Sequence, residues 1–250
     1  MKTRVKNFLR LMLNAHKFAG KRKIFCIGQN KTGTSSLAVA LRELGITVPP
    51  TALGEPLIHD WAKRDFRRIF RFCHTAQAFQ DIPFSLLYTF QALDMRFPGS
   101  KFILTKRDSP EQWYSSLIRF HAKLFGNGKV PDCNSLKRAT YRYPGWMYEA
   151  NRAIFPTPDD DLYNKEIMIN HYNFHNQSVM EYFRHRTSDL LVINLAEKDS
   201  YAKFCEFIGK PRAREEFPWL RPGESKSITT CPRGPFQSRA SSGADCTPCR

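Results

Sequence analysis

The stretch from Ile27 to Leu37, IGQNKTGTSSL, constrains the fold more than any other part of this chain. It follows the apolar run KIFC and precedes apolar residues at helical spacing, so it joins a predicted strand to a predicted helix. Gly28 and Gly33 keep the G-x-x-x-x-G spacing of phosphate-binding loops. A strand, a glycine-rich turn and a helix in this order are typical of α/β proteins that bind a phosphate group at the helix N-terminus.

The lysine of this loop stands in an unusual place. Nucleotide hydrolases carry Lys directly after the second glycine, whereas here Lys31 precedes Gly33 by two residues and Thr34 follows it. The loop still offers backbone N–H groups, a positive charge and four hydroxyl groups, those of Thr32, Thr34, Ser35 and Ser36. The ends of the later strands, LTKRD and INLAEKD, do not place an Asp for Mg²⁺ directly after an apolar run. The sequence therefore predicts a nucleotide ligand without a triphosphate chain.

Apolar runs alternate with helical patterns along the whole chain, which predicts an α/β fold. We expect a three-layer αβα architecture with a mainly parallel central sheet, of the kind found in P-loop nucleotide hydrolases. Five strands are predicted: Lys23–Ile27, Ile46–Val48, Ala76–Gln80, Lys101–Thr105 and Leu190–Asn194. The predicted helices are Thr34–Leu44, Ser85–Phe97, a capped helix that starts at Ser109-Pro110, Leu162–Arg186 and Ser200–Ile208, with an irregular insertion between Gly126 and Asp161.

Composition bounds the domain organisation and the partners. The chain has 250 residues and a formal net charge of +16, which favours anionic partners. We predict a basic N-terminal lead-in helix over 1–22, one domain over 23–222 and a flexible tail over 223–250 rich in Ser, Gly, Pro and Arg. Apolar residues of the first segment also suit contact with a membrane surface. Seven irregularly spaced cysteines predict a reduced, cytoplasmic protein, and one terminal C-x-x-C is insufficient for a zinc site.

A second loop, in KFILTKRDSPEQWYSSL, carries a second set of anion-binding groups. Arg107 leaves the end of a predicted strand, and Ser115 lies on the capped helix that follows. An Arg fork with a hydroxyl group is a good receptor for a phosphate at the carboxyl edge of the sheet. Alternatively, Arg107 pairs with Asp108 or caps a helix, and Ser115 is an ordinary surface residue of its helix. Two loops of this kind together indicate a ligand with two separated phosphates.

Several other residues are candidates for catalysis or metal binding. Asp81, in AQAFQDIPF, follows a predicted strand and is our candidate general base; the alternative is a helix N-cap. His74 is a weaker candidate base because it precedes that strand. His171 and His175 have the i, i+4 spacing of a metal pair, but they lack the Glu of H-E-x-x-H, so we expect helix-face or substrate-side residues and no metal site.

The two loops, taken in order, resemble those of the sulfotransferases that use 3′-phosphoadenosine 5′-phosphosulfate (PAPS). The similarity rests on KTGTSS after one strand, RDSPEQWYSS after a later one, and the terminal strand and helix DLLVINLAEKDSYAKFCEFIGKP followed by FPW. It extends from about Lys23 to Leu220. The resemblance implies that the first loop holds the 5′-phosphosulfate, that Lys31 steadies the leaving phosphate, and that Arg107 and Ser115 hold the 3′-phosphate. It also implies PAPS as co-substrate without a metal, and a His or a carboxylate as base near Asp81.

Two other classes of function stay open at this stage. A P-loop nucleotide kinase or phosphotransferase shares the fold class, although the lysine position counts against it. A non-catalytic module that binds anions, nucleic acid or membranes explains the charge, but it leaves the two loops unexplained, and no nucleic-acid motif is present.

For the leading interpretation, we expect the acceptor to be a small molecule, a saccharide or a lipid. Basic and aromatic residues of GNGKVPDCNSLKRATYRYPGWMY suit an acidic saccharide or an amphipathic aglycone, or else form an exposed cover. The oligomeric state is not specified by these patterns.

Overall fold

A parallel β-sheet lies at the centre of the computed structural model, which describes residues 15–218. The four strands, in sequence order, are β1 (Ile24–Cys26), β2 (Ala78–Phe79), β3 (Lys101–Thr105) and β4 (Leu190–Ile193). Their order in the sheet is β2-β1-β3-β4, and every neighbouring pair is parallel. The register pairs Phe25 with both Phe79 and Phe102.

Ten α-helices surround the sheet in the described part of the chain, together with 3₁₀ turns at Ala15–Phe18 and Glu55–Leu57. They are α1 (Thr34–Glu43), α2 (Thr51–Gly54), α3 (Ile58–Ala62), α4 (Arg67–Cys73), α5 (Thr89–Arg96), α6 (Pro110–Phe125), α7 (Cys133–Arg138), α8 (Trp146–Ile154), α9 (Lys165–Tyr182) and α10 (Ser200–Ile208). Within residues 15–218, every helix is too short or too polar to span a bilayer.

Both faces of the sheet are buried along β1, β2 and β3, because successive side chains of these strands enter different apolar clusters. The edge strand β4 is less covered, and its Val192 is exposed. Phe25, Phe79 and Phe102 belong to the larger cluster, which includes residues of α6 and α9. Cys26 and Ile103 belong to the smaller one, which includes residues of α1 and α10. The predicted three-layer αβα fold with a parallel sheet is therefore confirmed, and double-sided burial explains why the strands read as continuous apolar runs.

The element boundaries correct several expectations. Ile46–Val48 is not a strand; Thr47 only accepts the N–H groups of Gln77 and Ala78, and two prolines without N–H groups follow the segment. Turns occupy 81–88, so α5 begins later than predicted. The long helix is shorter than predicted at both ends, and the insertion contains two helices, α7 and α8. The predicted cap of α6 is confirmed, because Ser109 accepts the N–H of Gln112 at 3.1 Å.

The connections of the sheet create a crevice at its carboxyl edge. From β1 the chain goes to β2 on one side, and from β3 it goes to β4 on the other. Neighbouring parallel strands whose connections leave in opposite directions define the point where ligands bind in open α/β folds. The loops after β1 and β3 meet at that point, and they are the two loops that the sequence singles out.

The predicted domain limits fall partly beyond this description. Most of the expected lead-in helix, residues 1–14, and the whole of the expected tail, 223–250, lie outside the described residues. The part of the lead-in that is described forms a single 3₁₀ turn, Ala15–Phe18. The last described apolar residue, Phe217, is buried against Tyr201 and Phe204 of α10.

Candidate active site

The loop after β1 is packed closely on the end of β3. A Cβ atom on Gly28 would lie 2.1 Å from the hydroxyl oxygen of Thr105 and 2.5–2.6 Å from its backbone, so this position admits only glycine. The Thr32 hydroxyl donates to the carbonyl of Gln29 at 2.5 Å and therefore accepts from the hydroxyl of Thr105, also at 2.5 Å. The hydrogen of Thr32 is thus used inside the loop, and the loop is fixed to the sheet.

The same loop leaves the N-terminus of α1 open to an anion. Gly33 precedes the helix in the left-handed region, with φ of 101°, and no side chain caps the first N–H groups. The N–H groups of Thr34, Ser35 and Ser36 therefore have no partner within the helix. Ser35 is exposed, whereas the side chains of Thr34 and Ser36 are buried. Free N–H groups and the positive end of the helix dipole form a site for a phosphate group.

Lys31 stands at the mouth of this loop with a left-handed backbone, φ 73°. Its Nζ atom lies 3.3 Å from the centre of the Phe120 ring on α6. Burial lowers the pKa of Lys31 to about 8; the charge of Asp81 acts in the opposite direction, and the charge of Arg107 lowers the pKa further. A partly dehydrated ammonium group interacts more strongly with an anion than a fully hydrated one does. Lys31 is therefore well placed to stabilise negative charge.

Two hydrogen bonds join the loop after β3 and α6 to consecutive carbonyl groups of the first loop. The Nε atom of Arg107 donates to the carbonyl of Lys31 at 2.7 Å. The Nε1 atom of Trp113 donates to the carbonyl of Asn30 at 3.0 Å. Because these carbonyl groups are bound by the second loop and its helix, the two predicted loops form one continuous site. The η nitrogens of Arg107 have no acceptor among the described residues.

Aromatic packing fixes the position of Arg107. Trp113 stacks on Tyr172 of α9 with ring centres 4.6 Å apart, and the Tyr172 hydroxyl accepts the backbone N–H of Arg107 at 3.1 Å. The alternative pairing of Arg107 with Asp108 does not occur; the Asp108 carboxylate accepts instead from the amides of Gln112 and Asn194.

Ser115 is exposed on α6, without a hydrogen-bond partner among the described residues, so its binding role stays a prediction.

Asp81 follows β2 at the same edge of the sheet, with φ of 68°. Its carboxylate accepts the N–H of Ile82 at 2.8 Å, and turns rather than a helix follow, so it is not a helix N-cap. Burial raises the pKa of Asp81, whereas the N–H of Ile82, the side chain of Asn30 and the charges of Lys31 and Arg142 lower it. A carboxylate with a raised pKa near a cation is a suitable general base.

The histidine candidates have other positions. His74 ends α4, before the amino end of β2, and its ring packs on Phe97 at 5.6 Å, so it lies at the edge of the sheet away from Asp81. His175 is fully buried, and its Nε2 atom is 2.8 Å from the carbonyl oxygen of Ile27, where it holds the end of β1. Burial lowers the pKa of both His171 and His175 to about 4.

The structure also brings residues to the site that sequence patterns did not indicate. Glu55 is buried and accepts from Arg142 and, at 3.2 Å, from the hydroxyl of Tyr141. A Cβ atom on Gly54 would lie 2.9 Å from the carbonyl oxygen of Ile82, so this segment packs directly on the turn that carries Asp81. No motif marks these positions. Asn30 and Phe120 were also missed, although Asn30 lies inside the loop and is adjacent to Lys31.

A central parallel sheet, an uncapped helix N-terminus and the cations Lys31 and Arg107 at the switch point define an α/β protein suited to bind phosphate groups. A family model described as "Sulfotransferase domain" matches residues 23–225, and the chain belongs to this family. A search of curated proteins found no match. The family match covers all four strands and every residue of the site described above.

Proposed function

We propose that the protein transfers a sulfuryl group from PAPS to a hydroxyl or amine of an acceptor, in line and without a metal ion, and releases adenosine 3′,5′-bisphosphate. The observation that carries this proposal is the hydrogen bond from Arg107 to the carbonyl of Lys31 at 2.7 Å. It unites two anion-binding loops at one edge of the sheet. Two neighbouring sites with fixed positive charge match a nucleotide with two separated phosphate groups.

The donor groups present fit such a nucleotide. The open N-terminus of α1, with Lys31, Gly33, Thr34, Ser35 and Ser36, suits the 5′-phosphosulfate, while Thr32 holds the loop in shape. The η nitrogens of Arg107, with Ser115 on the next helix, suit the 3′-phosphate. Gly28 supports the fit, because the tight packing of its backbone on Thr105 sets the position of the whole loop.

Two residues carry the proposed chemistry. PAPS supplies an activated sulfuryl group whose departure leaves negative charge on a phosphate oxygen. Lys31 stabilises that charge, and the N–H groups at the start of α1 assist, because fixed dipoles aimed at a developing charge lower the barrier. Asp81 accepts the proton of the acceptor hydroxyl, and its raised pKa makes it a stronger base than an exposed carboxylate.

The setting and partners of the protein are part of the same proposal. We propose a small-molecule, saccharide or lipid acceptor and no nucleic acid. We also propose a cytoplasmic location with membrane contact through the N-terminal segment, which lies mostly outside the described residues. The location is supported by Cys26, Cys73, Cys133 and Cys205, which are all free thiols.

The test is calorimetric titration with adenosine 3′,5′-bisphosphate in the absence of divalent metal. We expect micromolar binding by the wild type and a loss of at least about tenfold in Arg107→Ala and in Lys31→Ala, because each loses a charged hydrogen-bond donor. Arg71→Ala is the matched control, because it also removes a guanidinium group. Arg71 is exposed in the last turn of α4, which precedes the amino end of β2, whereas the site lies at the carboxyl edge of the sheet. Binding of ATP with Mg²⁺ in place of the bisphosphate would contradict the proposal.

A further inference from the structure

A cleft of about 460 Å³ lies between the C-terminal part of α6 and the segment that follows it. Four of its lining residues present apolar or aromatic surface: Leu124, Phe125, Ala139 and Tyr141. The rings of Phe125 and Tyr141 meet edge to face with centres 5.9 Å apart, so they close one side of the cleft. Leu124 and Tyr141 are 47% and 41% exposed, which leaves their surfaces available to a ligand.

One wall of the cleft belongs to the helix whose Phe120 contacts Lys31. Leu124 lies one helical turn beyond Phe120 on α6, so the two side chains share a helix face. The Phe120 ring in turn lies against the Nζ atom of Lys31 at 3.3 Å, and it is 37% exposed. Leu124 in the cleft and Phe120 against Lys31 therefore lie on neighbouring turns of one helix face.

Tyr141, another lining residue, is linked to the turn that carries Asp81. The hydroxyl of Tyr141 donates to the carboxylate of Glu55 at 3.2 Å. Gly54, the preceding residue, packs on the carbonyl of Ile82, which is adjacent to Asp81. Burial raises the pKa of Tyr141, and the charges of Glu55 and Asp81 raise it further, so its hydroxyl keeps its proton and remains a donor. A short series of neighbouring residues thus links the cleft to each of the proposed catalytic residues, Lys31 and Asp81.

The remaining lining residues indicate what the cleft can bind. Asn127, Ser135 and Thr140 offer neutral hydrogen-bonding groups, and Arg138 adds an exposed positive charge. Among the lining residues in the described part of the chain, none carries a carboxylate. Apolar and aromatic surface suits the C–H face of a sugar-like ring, neutral polar groups suit its hydroxyls, and a guanidinium suits an anionic substituent.

On the basis of the proposed function, we propose that this cleft is the acceptor subsite and that it takes a hydroxylated ring bearing a carboxylate or sulfate. Arg138 is the residue that selects the anionic substituent. Tyr141 forms the end of the subsite next to Glu55 and Asp81. The acceptor hydroxyl then lies between the cleft and the pair formed by Lys31 and Asp81, where transfer is proposed to occur.

The test compares two acceptors that differ in one group, phenyl β-D-glucuronide and phenyl β-D-glucoside. Transfer from PAPS is followed by release of adenosine 3′,5′-bisphosphate. We expect the KM of the wild type for the glucuronide to be about tenfold lower than its KM for the glucoside. A factor of that size corresponds to the free energy of one hydrogen bond between charged groups. Arg138→Ala raises the KM for the glucuronide by about the same factor and leaves that for the glucoside unchanged.

Lys137→Ala is the matched control, because it removes the same charge from the adjacent residue. Lys137 does not line the cleft; its Nζ atom lies 4.6 Å from the centre of the Tyr148 ring. We expect this variant to keep both KM values, and both variants to bind adenosine 3′,5′-bisphosphate like the wild type. If the two substitutions raise the KM for the glucuronide equally, the overall charge of the protein, not the cleft, selects the acceptor.

The outcomes separate this proposal from the one on which it rests. If the wild type binds adenosine 3′,5′-bisphosphate but transfers to neither glycoside, or prefers the neutral one, the proposal about the cleft is wrong and the proposed function stands. If the wild type does not bind that nucleotide, both proposals fail together. Preference for the glucuronide that only Arg138→Ala removes supports the cleft.

Discussion

The ammonium group of Lys31 loses much of its hydration in the fold, and this has a measurable consequence for ligand binding. Burial lowers the pKa of Lys31 from 10.5 to about 8, although the nearby carboxylate of Asp81 favours the charged form. The free protein therefore carries most of this charge at pH 7 and loses it within a range that is accessible to experiment. A bound anion favours the charged form and raises the pKa again.

The affinity for adenosine 3′,5′-bisphosphate should consequently weaken as the pH rises through about 8, the value to which burial lowers the pKa of Lys31. Calorimetric titration between about pH 7 and about pH 9.5 measures this effect, because an ordinary lysine stays charged over that range. Lys31→Arg is the control, since its guanidinium keeps its charge. If the wild type and Lys31→Arg have the same pH profile, the lowered pKa has no role in binding.

Asp81 permits a second prediction, which separates catalysis from nucleotide binding. Asp81→Asn keeps an acceptor for the N–H of Ile82 but loses the base, so we expect kcat to fall by about 10²–10⁴-fold. Nucleotide affinity at pH 7 should change little. Because the charge of Asp81 raises the pKa of Lys31, the loss of affinity with rising pH should begin at a lower pH in this variant. An active Asp81→Asn variant would assign the base to another group.

At the scale of elements, the loop after β1 depends on its contact with the end of β3. Gly28→Ala should lower the free energy of unfolding by about 3 kcal/mol, the upper end of the usual range for overpacking, because no rearrangement of a flexible side chain relieves the contact. Chemical denaturation measures this loss. Adding Thr105→Ala should not restore stability, since the added Cβ atom also meets the Thr105 backbone at 2.5–2.6 Å. Recovery in that double variant would contradict the backbone clash.

Gly20→Ala is the control for that prediction. Gly20 also has a positive φ, 71°, but no atom lies within 4 Å of the position of an added Cβ. Its replacement therefore adds only backbone strain, about 1 kcal/mol. The difference between the two glycines isolates the close approach of the loop to the sheet.

Element prediction from sequence succeeded where a pattern had one physical explanation. The run KFILT predicted β3 with its observed bounds, because a continuous apolar segment of that length suits a strand buried on both faces. Ile46–Val48 has a similar composition but runs into Pro49, and its backbone makes only isolated contacts near β2. The helices α7 and α8 lie in a stretch rich in aromatic and proline residues, where turn signals obscure helical periodicity.

The same distinction applies to the candidate site: residues in a local pattern were predicted, and residues held by distant contacts were not. The positions of Lys31, Gly33 and Arg107 followed from strand–loop–helix patterns, because parallel strands bring such loops to one edge of the sheet. The position of Glu55 did not follow, since its partners Tyr141 and Arg142 are 86 and 87 residues away and no local pattern links them. Contacts of that kind depend on the path of the whole insertion.

At the scale of the whole molecule, one buried ion pair joins the insertion to the body of the domain. The side chains of Glu55 and Arg142 are only 5% and 16% exposed, and Tyr141 completes the hydrogen bonding of the carboxylate. Burial raises the pKa of Glu55, whereas the hydrogen bonds from Arg142 and Tyr141 lower it. Losing either partner would leave an uncompensated polar group beside the turn that carries Asp81.

Arg142→Met should therefore destabilise the protein by about 3–5 kcal/mol at pH 7, because Glu55 remains charged and buried without its partner. The double variant Glu55→Met with Arg142→Met should recover most of this loss. In Arg142→Met alone, burial holds the folded-state pKa of Glu55 above its unfolded value. Stability should then increase as the pH is lowered from 7, because folded Glu55 takes up a proton before unfolded Glu55 does, and the gain should level off near the unfolded value of about 4.3.

Chemical denaturation at both pH values, combined as a double-mutant cycle, measures the coupling between Glu55 and Arg142. Arg67→Met is the control: Arg67 pairs with Asp65 at the surface, with its side chain 85% exposed, so its loss should leave stability nearly unchanged. If the double variant is as unstable as Arg142→Met, the pair does not act as a unit, and the insertion is held mainly by apolar contacts such as Tyr141 with Trp146. Recovery together with the pH dependence would identify the ion pair as the link that holds the insertion, which lines the proposed acceptor cleft, against the turn that carries Asp81.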